Sequence, residues 1–236
     1  MDASAEELYF SGSAPPYSAR IHPVKPSTPT LFPMFLKLGH RPCLVVGAGE
    51  VAESKIASLL EADASVRVVA PQATTQVQSW AADKKIEWFA RPWAPEDLEG
   101  MFLAVAATSS PELHEQIFAE AQRHGVLCNV VDVPELCHFY YPAVTRRGAL
   151  QIAVSTAGQS PALAQRLRKE LEEQFGPEYA AWLEHLGEER AKLFSSVKDP
   201  EERKRLLHDL ASADAFQSFL RKLKPGQARK RTRPKK

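Results

Sequence analysis

The chain has 236 residues, of which 44% are hydrophobic and 25% charged, and its formal net charge is +1. These values lie near the average for globular proteins and exclude a wholly disordered chain, a collagen and a coiled coil. No apolar run of about 18 residues and no secretory signal pattern are found, so we expect a cytoplasmic protein without a membrane partner. The three cysteines, Cys43, Cys128 and Cys137, lack CxxC spacing, which predicts neither a disulfide framework nor a zinc site.

The two ends of the chain differ from its middle. Residues 1–30 hold five of the 18 prolines and no sustained periodicity, so we expect a disordered arm there. Residues 221–236 contain nine basic residues and no acid, which leaves 21 basic against 29 acidic residues elsewhere. Because residues 227–236 have no aromatic side chain for base stacking, we interpret residues 225–236 as a solvated basic tail without specific affinity for nucleic acid.

Between these ends, short apolar runs alternate with stretches of helical length. The helical stretches lie near residues 51–62, 73–83 and 111–124, and the runs are Cys43–Val46, Val66–Ala70, Ile86–Phe89, Phe102–Ala107 and Leu127–Val131. Continuous apolar runs are typical of strands covered on both faces, and alternation with helices indicates parallel crossovers. The prediction is a doubly wound α/β fold, a Rossmann dinucleotide-binding domain over residues 31–141.

After Pro142 the pattern changes to a hairpin followed by helices. Ala143–Thr145 and Leu150–Ser155 flank Arg146-Arg147-Gly148, which we interpret as the hairpin turn. Ser160 and Pro161 begin a helix with leucines at positions 163, 167 and 171, and amphipathic stretches follow near 178–194, 200–212 and 213–223. We assign residues 142–175 to a dimerisation region, since a hairpin and one helix are too little to fold alone, and residues 176–224 to a helical domain.

A glycine motif follows the first predicted strand. Gly47-Ala48-Gly49-Glu50-Val51-Ala52 matches GxGxxA at a strand-to-helix junction, the arrangement in which helix N–H groups bind a pyrophosphate. The second strand ends in Ala70-Pro71 in place of the usual ribose-binding acid, so the choice between NAD and NADP stays open. The predicted cofactor contacts are Gly47, Ala48, Gly49, Glu50, Val51, Ala70, Pro71 and Thr108.

The fifth predicted strand delivers a carboxylate to the edge of the sheet where ligands bind. In Cys128-Asn129-Val130-Val131-Asp132 the aspartate follows the apolar run directly. Taken alone, such an Asp is more often a turn or helix cap. Beside a dinucleotide site, a role as general acid or base or in positioning a metal also fits.

Six segments in order resemble the precorrin-2 dehydrogenase family, the dehydrogenase and ferrochelatase N-terminal part of siroheme synthase. The similarity extends over residues 31–195, and its segments are Phe32–Leu36, Val45–Ala52 with Lys55, Ala106–Thr108, Asn129–Asp132, Phe139–Ala143 and Ala153–Pro161. The resemblance implies oxidation of precorrin-2 to sirohydrochlorin with NAD+ and, in some members, insertion of Fe2+ as a substrate. It also implies a homodimer, a catalytic Asp132 and no protein metal site.

The same resemblance suggests where the carboxylate-rich tetrapyrrole binds. The predicted substrate contacts are Asn129, Ser155, Thr156, Gly158 and Arg146. For Arg146 a solvated turn is an equal alternative, and Lys55 either approaches the cofactor phosphates or lies on a solvated face. Thr156 stands where relatives often have serine, and it keeps the hydroxyl.

Two other functions stay open at this point. One is a non-enzymatic module that senses NAD(H) and acts through the basic tail, and the other is a degenerate member that binds a tetrapyrrole without turnover. A sensing module would need neither Asp132 nor residues 155–161.

Overall fold

The computed structural model describes residues 30–223, so the predicted basic tail and nearly all of the predicted disordered arm lie outside the described residues. The first part of the described chain alternates strands and helices. The strands are β1 (Pro42–Val46), β2 (Ser65–Val69), β3 (Ile86–Phe89), β4 (Leu103–Ala106) and β5 (Leu127–Val130), and the helices are α1 (Glu50–Leu60), α2 (Thr75–Ala82) and α3 (Pro111–His124).

The five strands form one parallel sheet in the order β3-β2-β1-β4-β5. Side chains of α1 and α2, such as Ile56 and Val77, pack on one face, whereas Ile117 of α3 packs on the other. Along β1, Cys43 and Val45 face the first layer while Leu44 and Val46 face the second. This burial on both sides explains the continuous apolar runs and confirms the predicted doubly wound fold.

The hairpin differs from the prediction at its turn. Its strands are β6 (Ala143–Arg147) and β7 (Leu150–Val154), so Arg146 and Arg147 lie on β6 and only residues 148–149 connect the strands. The prediction of an arginine turn was wrong because Gly148, at φ +58°, takes the left-handed turn position. The Arg147 guanidinium donates to the carbonyls of Phe175 and Glu172, which seals the end of the following helix.

That helix, α4 (Pro161–Gln174), packs on the hairpin. Ser160 caps it by accepting a hydrogen bond from Leu163 N–H, as predicted, and buried Thr145 donates to the carbonyl of Arg168 at 3.0 Å. The leucine stripe is not a buried face in the described chain, since Leu163 is 38% exposed. A single helix on a two-stranded sheet leaves much of its apolar surface uncovered.

Three helices complete the described chain: α5 (Glu178–Ser196), α6 (Pro200–Leu210) and α7 (Ala213–Lys222). Their shared core is aromatic, with Trp182 buried against Phe216 and Phe219 at centroid distances of 5.5 and 5.0 Å. Trp182 is thus a packing residue. Within residues 30–223, no helix is long and apolar enough to cross a membrane.

Asp97 holds the connection between β3 and β4 in place. Its carboxylate is 4% exposed and accepts hydrogen bonds from the Arg91 guanidinium at 2.6 and 2.8 Å and from Ala94 N–H at 3.0 Å. Burial acts to raise the pKa of this carboxyl, but the hydrogen bonds and the charge of Arg91 outweigh it and lower the pKa below its ordinary value. The ionised form is therefore favoured by folding, and its stabilisation is lost as the pH falls through the native pKa.

We predict that Asp97→Asn lowers the free energy of unfolding by roughly 2 kcal/mol at pH 7, because it weakens charge-assisted hydrogen bonds to a buried carboxylate. Urea denaturation at several pH values measures this difference. The difference in the free energy of unfolding between the wild-type protein and Asp97→Asn should shrink as the pH falls from about 5 through the native pKa of Asp97. The control Asp83→Asn, at an exposed ion pair with Lys85, should have little effect, and a pH-independent loss for Asp97→Asn would contradict the assignment.

Candidate active site

The glycine motif forms the turn between β1 and α1. Gly47 has φ +105°, and a Cβ atom there would collide with the carbonyl oxygen of Ala107, which follows β4. Gly49 has an extended backbone and no atom within 4 Å of the place where its Cβ would lie. The first glycine is therefore required by the fold, whereas the second leaves open space in front of the helix.

The N-terminus of α1 carries no side-chain cap. The hydroxyl or carboxylate of the preceding residue caps α2, α3, α4, α6 and α7, but Gly49 offers no such group. The first backbone N–H groups of α1, at Glu50 and Val51, therefore have no acceptor within the helix. Ala48 is buried and its carbonyl accepts from Thr74 N–H at 3.0 Å, which ties the turn to the start of α2. The arrangement fits a pyrophosphate.

Thr108 supplies a second polar group at the same edge of the sheet. Its hydroxyl is buried and has no hydrogen-bond partner among the described residues. Its carbonyl accepts from the His114 ring at 2.9 Å, with Nε2 taken as protonated, so the backbone here is held in place. A buried hydroxyl without a partner is costly unless a ligand satisfies it.

The end of β2 offers no carboxylate. Ala70 and Pro71 stand at the predicted ribose position, and the Ala70 carbonyl accepts from the Trp88 indole N–H at 3.0 Å. Taken together, the glycine turn, the uncapped helix and Thr108 fit a dinucleotide. These residues do not discriminate NAD from NADP through an acid.

A cavity of about 250 Å3 lies between the carboxyl end of β5 and the hairpin. It brings together five residues predicted from the sequence, namely Asn129, Asp132, Ser155, Thr156 and Gly158. Further wall residues include Lys55 from α1, Cys137, Tyr140 and Tyr141 from the segment before β6, and Pro161 and Ala164 from α4. The glycine turn does not line this cavity, so the predicted site residues form two neighbouring groups.

Asp132 stands in a turn directly after β5. Its φ of +61° is left-handed, a conformation that aspartate tolerates better than most residues, and its side chain is exposed to the cavity. Ala157, in the loop between the lining residues Thr156 and Gly158, also has a left-handed backbone, at φ +51°. Left-handed alanine is strained, and such strain is common in loops beside functional sites.

Asn129 lines the cavity but its amide group is engaged within the protein. Nδ2 donates to the Phe139 carbonyl at 2.8 Å and contacts the Cys137 sulfur at 3.3 Å. A second link joins the same segments, because Cys128 and His138 exchange two hydrogen bonds at 2.8 and 3.0 Å. Asn129 thus positions residues 137–141 against β5.

The hydroxyls of the opposite wall shape their own loop. Ser155 Oγ accepts from Ala157 N–H and Thr156 Oγ1 accepts from Ser160 N–H, each at 3.2 Å. Each hydroxyl keeps its own proton for donation to a ligand.

Arg146 lies apart from this group. It forms an ion pair with Glu61 at 3.1 Å and does not line the cavity. The sequence could not indicate this pair, because Glu61 ends α1, 85 positions earlier in the chain.

Lys55 and Tyr141 form the contact that sequence reasoning missed. The Lys55 Nζ lies 4.0 Å from the centre of the Tyr141 ring, a cation–π distance. Burial lowers the pKa of Lys55, and the negative charge of Asp132 opposes that shift. Burial also raises the pKa of the Tyr141 hydroxyl and that of the Cys137 thiol, so both stay neutral at pH 7. Lys55 occurs in the motif at the start of α1, but only the fold shows that it faces Asp132.

Comparison with known proteins gives two adjoining family matches. A family model described as "Putative NAD(P)-binding" matches residues 34–143, and one described as "Sirohaem biosynthesis protein central" matches residues 147–174. The solved structure of SirC, precorrin-2 dehydrogenase, has a TM-score of 0.68 and 25% sequence identity, and covers 81% of this chain and 98% of its own.

Curated relatives carry the name siroheme synthase. Siroheme synthase 1 of Aeromonas hydrophila is 43% identical over 140 residues, 59% of this chain and 30% of the relative. The siroheme synthase of Neisseria meningitidis is 39% identical over 174 residues, 74% of this chain and 36% of the relative. The chain thus spans about a third of the length of these relatives. The two adjoining matches and the shared fold show that the chain belongs to the precorrin-2 dehydrogenase family, which includes the matching part of siroheme synthase.

Proposed function

We propose that the chain oxidises precorrin-2 to sirohydrochlorin with NAD+, as a step of siroheme biosynthesis. The observation that carries the proposal is the position of Asp132 in a cavity beside an uncapped, glycine-led helix of a dinucleotide-binding sheet. The names of SirC and of the siroheme synthases support the choice of substrate. Among the described residues the three cysteines are free, which supports a reducing compartment such as the cytoplasm.

The residues proposed to bind the cofactor lie in the turn after β1 and at the ends of β2 and β4. In this proposal the N–H groups of Gly49, Glu50 and Val51 bind the pyrophosphate, and Thr108 donates its hydroxyl to the cofactor. Gly47 and Ala48 shape the turn, and the backbone at Ala70 and Pro71 faces the ribose end. NAD+ supplies hydride acceptance when it is bound.

Asp132 has the chemistry that the remaining half of the oxidation requires. Loss of a hydride from the reduced macrocycle must be accompanied by loss of a proton, and a carboxylate near the ring can accept it. Lys55 lines the same cavity, so a cation and the carboxylate lie in one site. Ser155 and Thr156 offer hydroxyl donors to the substrate carboxylates, and the backbone at Gly158 forms the wall beside them. Arg146 is left out of this group because it does not line the cavity and pairs with Glu61.

Insertion of Fe2+ into sirohydrochlorin is a second candidate reaction of the same cavity. Chelation displaces two pyrrole protons, and Asp132 can accept protons in this step also. In this proposal the iron is a substrate that the macrocycle binds; within residues 30–223 no group of three His, Cys, Asp or Glu side chains that could hold a metal ion is found.

We also infer a homodimer. The cavity of about 250 Å3 is smaller than the roughly 300–1,000 Å3 typical of sites that enclose a drug-sized ligand, so one chain supplies only part of a macrocycle site. Phe32, Met34 and Phe35 are 61–80% exposed, and Leu163 on α4 is also exposed. Together with the isolated two-stranded sheet, these apolar groups support an interface with a second copy.

In sedimentation velocity at micromolar concentration, we expect a species of twice the chain mass. The double variant Phe32→Ser, Phe35→Ser should shift it toward the monomer, because the change removes exposed apolar surface from the interface. Phe194→Ser, at an exposed aromatic residue of α5, serves as the matched control. A monomeric wild-type protein would contradict the inference.

The substitution Gly49→Ala tests the proposed cofactor-binding residues. Its backbone allows alanine and its Cβ meets no protein atom, so we expect an unchanged melting temperature. Binding of NAD+ should weaken about tenfold or more, since the methyl group occupies the space at the pyrophosphate. Isothermal titration calorimetry measures the affinity. Gly187→Ala, at another open glycine, should leave it unchanged, and unaltered NAD+ binding by Gly49→Ala would place the phosphate elsewhere.

Anaerobic incubation with enzymatically generated precorrin-2 and NAD+, followed by visible spectroscopy, tests the function. Sirohydrochlorin should form only with NAD+, and Asp132→Asn should slow it at least about 100-fold while NAD+ binding persists. Asparagine tolerates the left-handed backbone, so the turn is kept. Glu135→Gln, a nearby carboxylate outside the cavity wall, is the control. Addition of Fe2+ afterwards tests chelation against the protein-free rate.

Two other outcomes of these experiments would support the two alternative functions. A folded protein that binds sirohydrochlorin but shows no NAD+-dependent conversion would be a degenerate tetrapyrrole binder. A protein that binds NAD(H) but no tetrapyrrole, with a function that is lost on deletion of residues 225–236, would be a sensing module.

A further inference from the structure

The cavity wall carries two opposite charges. Among its lining residues in the described chain, Lys55 is the only cation and Asp132 the only acid. Arg146, a predicted substrate contact, forms an ion pair with Glu61 at 3.1 Å and does not line the cavity. An anionic ligand that enters this cavity therefore meets a single positive side chain.

The Lys55 ammonium is held in place, but its hydrogen-bond donors have no acceptor among the described residues. The Tyr141 ring lies under it at 4.0 Å, and the Tyr141 ring in turn contacts Phe139 edge-on at a centroid distance of 5.6 Å. Within residues 30–223, no carboxylate lies within 4.0 Å of Nζ and no hydrogen-bond acceptor of the protein engages it. Lysine has three donors, so those of Lys55 are open to a ligand.

The position of Lys55 distinguishes substrate from cofactor. It lies five residues after the start of α1, about 7 Å along the helix axis from the N–H groups proposed for the pyrophosphate. It shares the cavity with Asp132, Ser155 and Thr156, whereas Gly47 and Gly49 do not line it. Its donors thus belong with the groups that face the macrocycle.

We propose that Lys55, held by the ring of Tyr141, binds a peripheral carboxylate of the tetrapyrrole and thereby sets which edge of the macrocycle faces Asp132. This inference rests on the proposed function for the identity of the substrate. Lys55 acts as a specificity-determining residue: it selects a ring with a carboxylate at the matching position. Tyr141 is a positioning residue in this proposal, because its ring contacts the Lys55 ammonium.

Porphyrin binding tests the inference without turnover. Quenching of intrinsic fluorescence in the full-length protein gives the Kd of uroporphyrin I, which has eight carboxylates, and of coproporphyrin I, which has four. Lys55→Met should weaken binding of uroporphyrin I about tenfold, since a charge-assisted hydrogen bond is lost, whereas Lys55→Arg should keep it within about threefold. Lys85→Met, at an exposed lysine before β3, should change nothing. Thermal unfolding shows whether each variant is folded.

The affinity for NAD+ and the kinetics separate the remaining outcomes. We expect Lys55→Met to leave the Kd of NAD+ unchanged and to raise KM for precorrin-2 with kcat within about twofold. Weaker NAD+ binding with unchanged porphyrin binding would overturn the inference and assign Lys55 to a cofactor phosphate. Equal binding of uroporphyrin I by all variants, or none by the wild-type protein, would also overturn it. Lysine-dependent porphyrin binding without oxidation of precorrin-2 would instead reject the proposed dehydrogenase alone.

Discussion

The central strand β1 is hydrogen-bonded to β2 on one side and to β4 on the other, and the site depends on how the chain leaves it. Gly47 N–H donates to the Val69 carbonyl, and Ala107 N–H donates to Val46. The backbones come so close here that no Cβ fits at Gly47. The chain continues from β1 to β2 and β3 on one side and places β4 and β5 on the other, so the strand order reverses beside β1. Open α/β sheets bind ligands at the carboxyl ends of the strands at such a point.

A second set of contacts holds the residues that form the wall of the cavity. Asn129 and Cys128 of β5 hold residues 137–139 by hydrogen bonds, and the chain then runs on to Tyr141. Tyr141 meets Lys55 from α1, so the two elements that flank Asp132 are joined by one cation–π contact. The hydrogen bonds of β5 and the contact of Tyr141 with Lys55 thus hold a positive charge in the cavity that also contains the exposed Asp132 carboxylate.

The sequence predicted the parts of this arrangement that follow from local pattern. Buried strands appear as unbroken apolar runs, the glycine motif marks the turn, and Ser160 with Pro161 marks the start of α4. It could not predict partners distant in the chain. The pairing of Arg146 with Glu61, the sealing of α4 by Arg147 and the approach of Lys55 to Tyr141 each join residues that are far apart in the chain. Composition therefore predicts a turn at Arg146 and Arg147. Of residues 146–148, however, only Gly148 has the left-handed backbone that the turn requires.

Charge placement distinguishes the two halves of the site. At the glycine turn the attraction for an anion comes from uncapped backbone N–H groups, which suit a phosphate and need no basic side chain. In the cavity, attraction comes from one lysine; burial lowers the pKa of Lys55, and the charge of Asp132 opposes that shift only in part. A carboxylate bound to Lys55 would lie in the same cavity as Asp132, because both side chains line it. Substrate binding and proton acceptance are therefore assigned to different side chains of one cavity, Lys55 for the carboxylate and Asp132 for the proton.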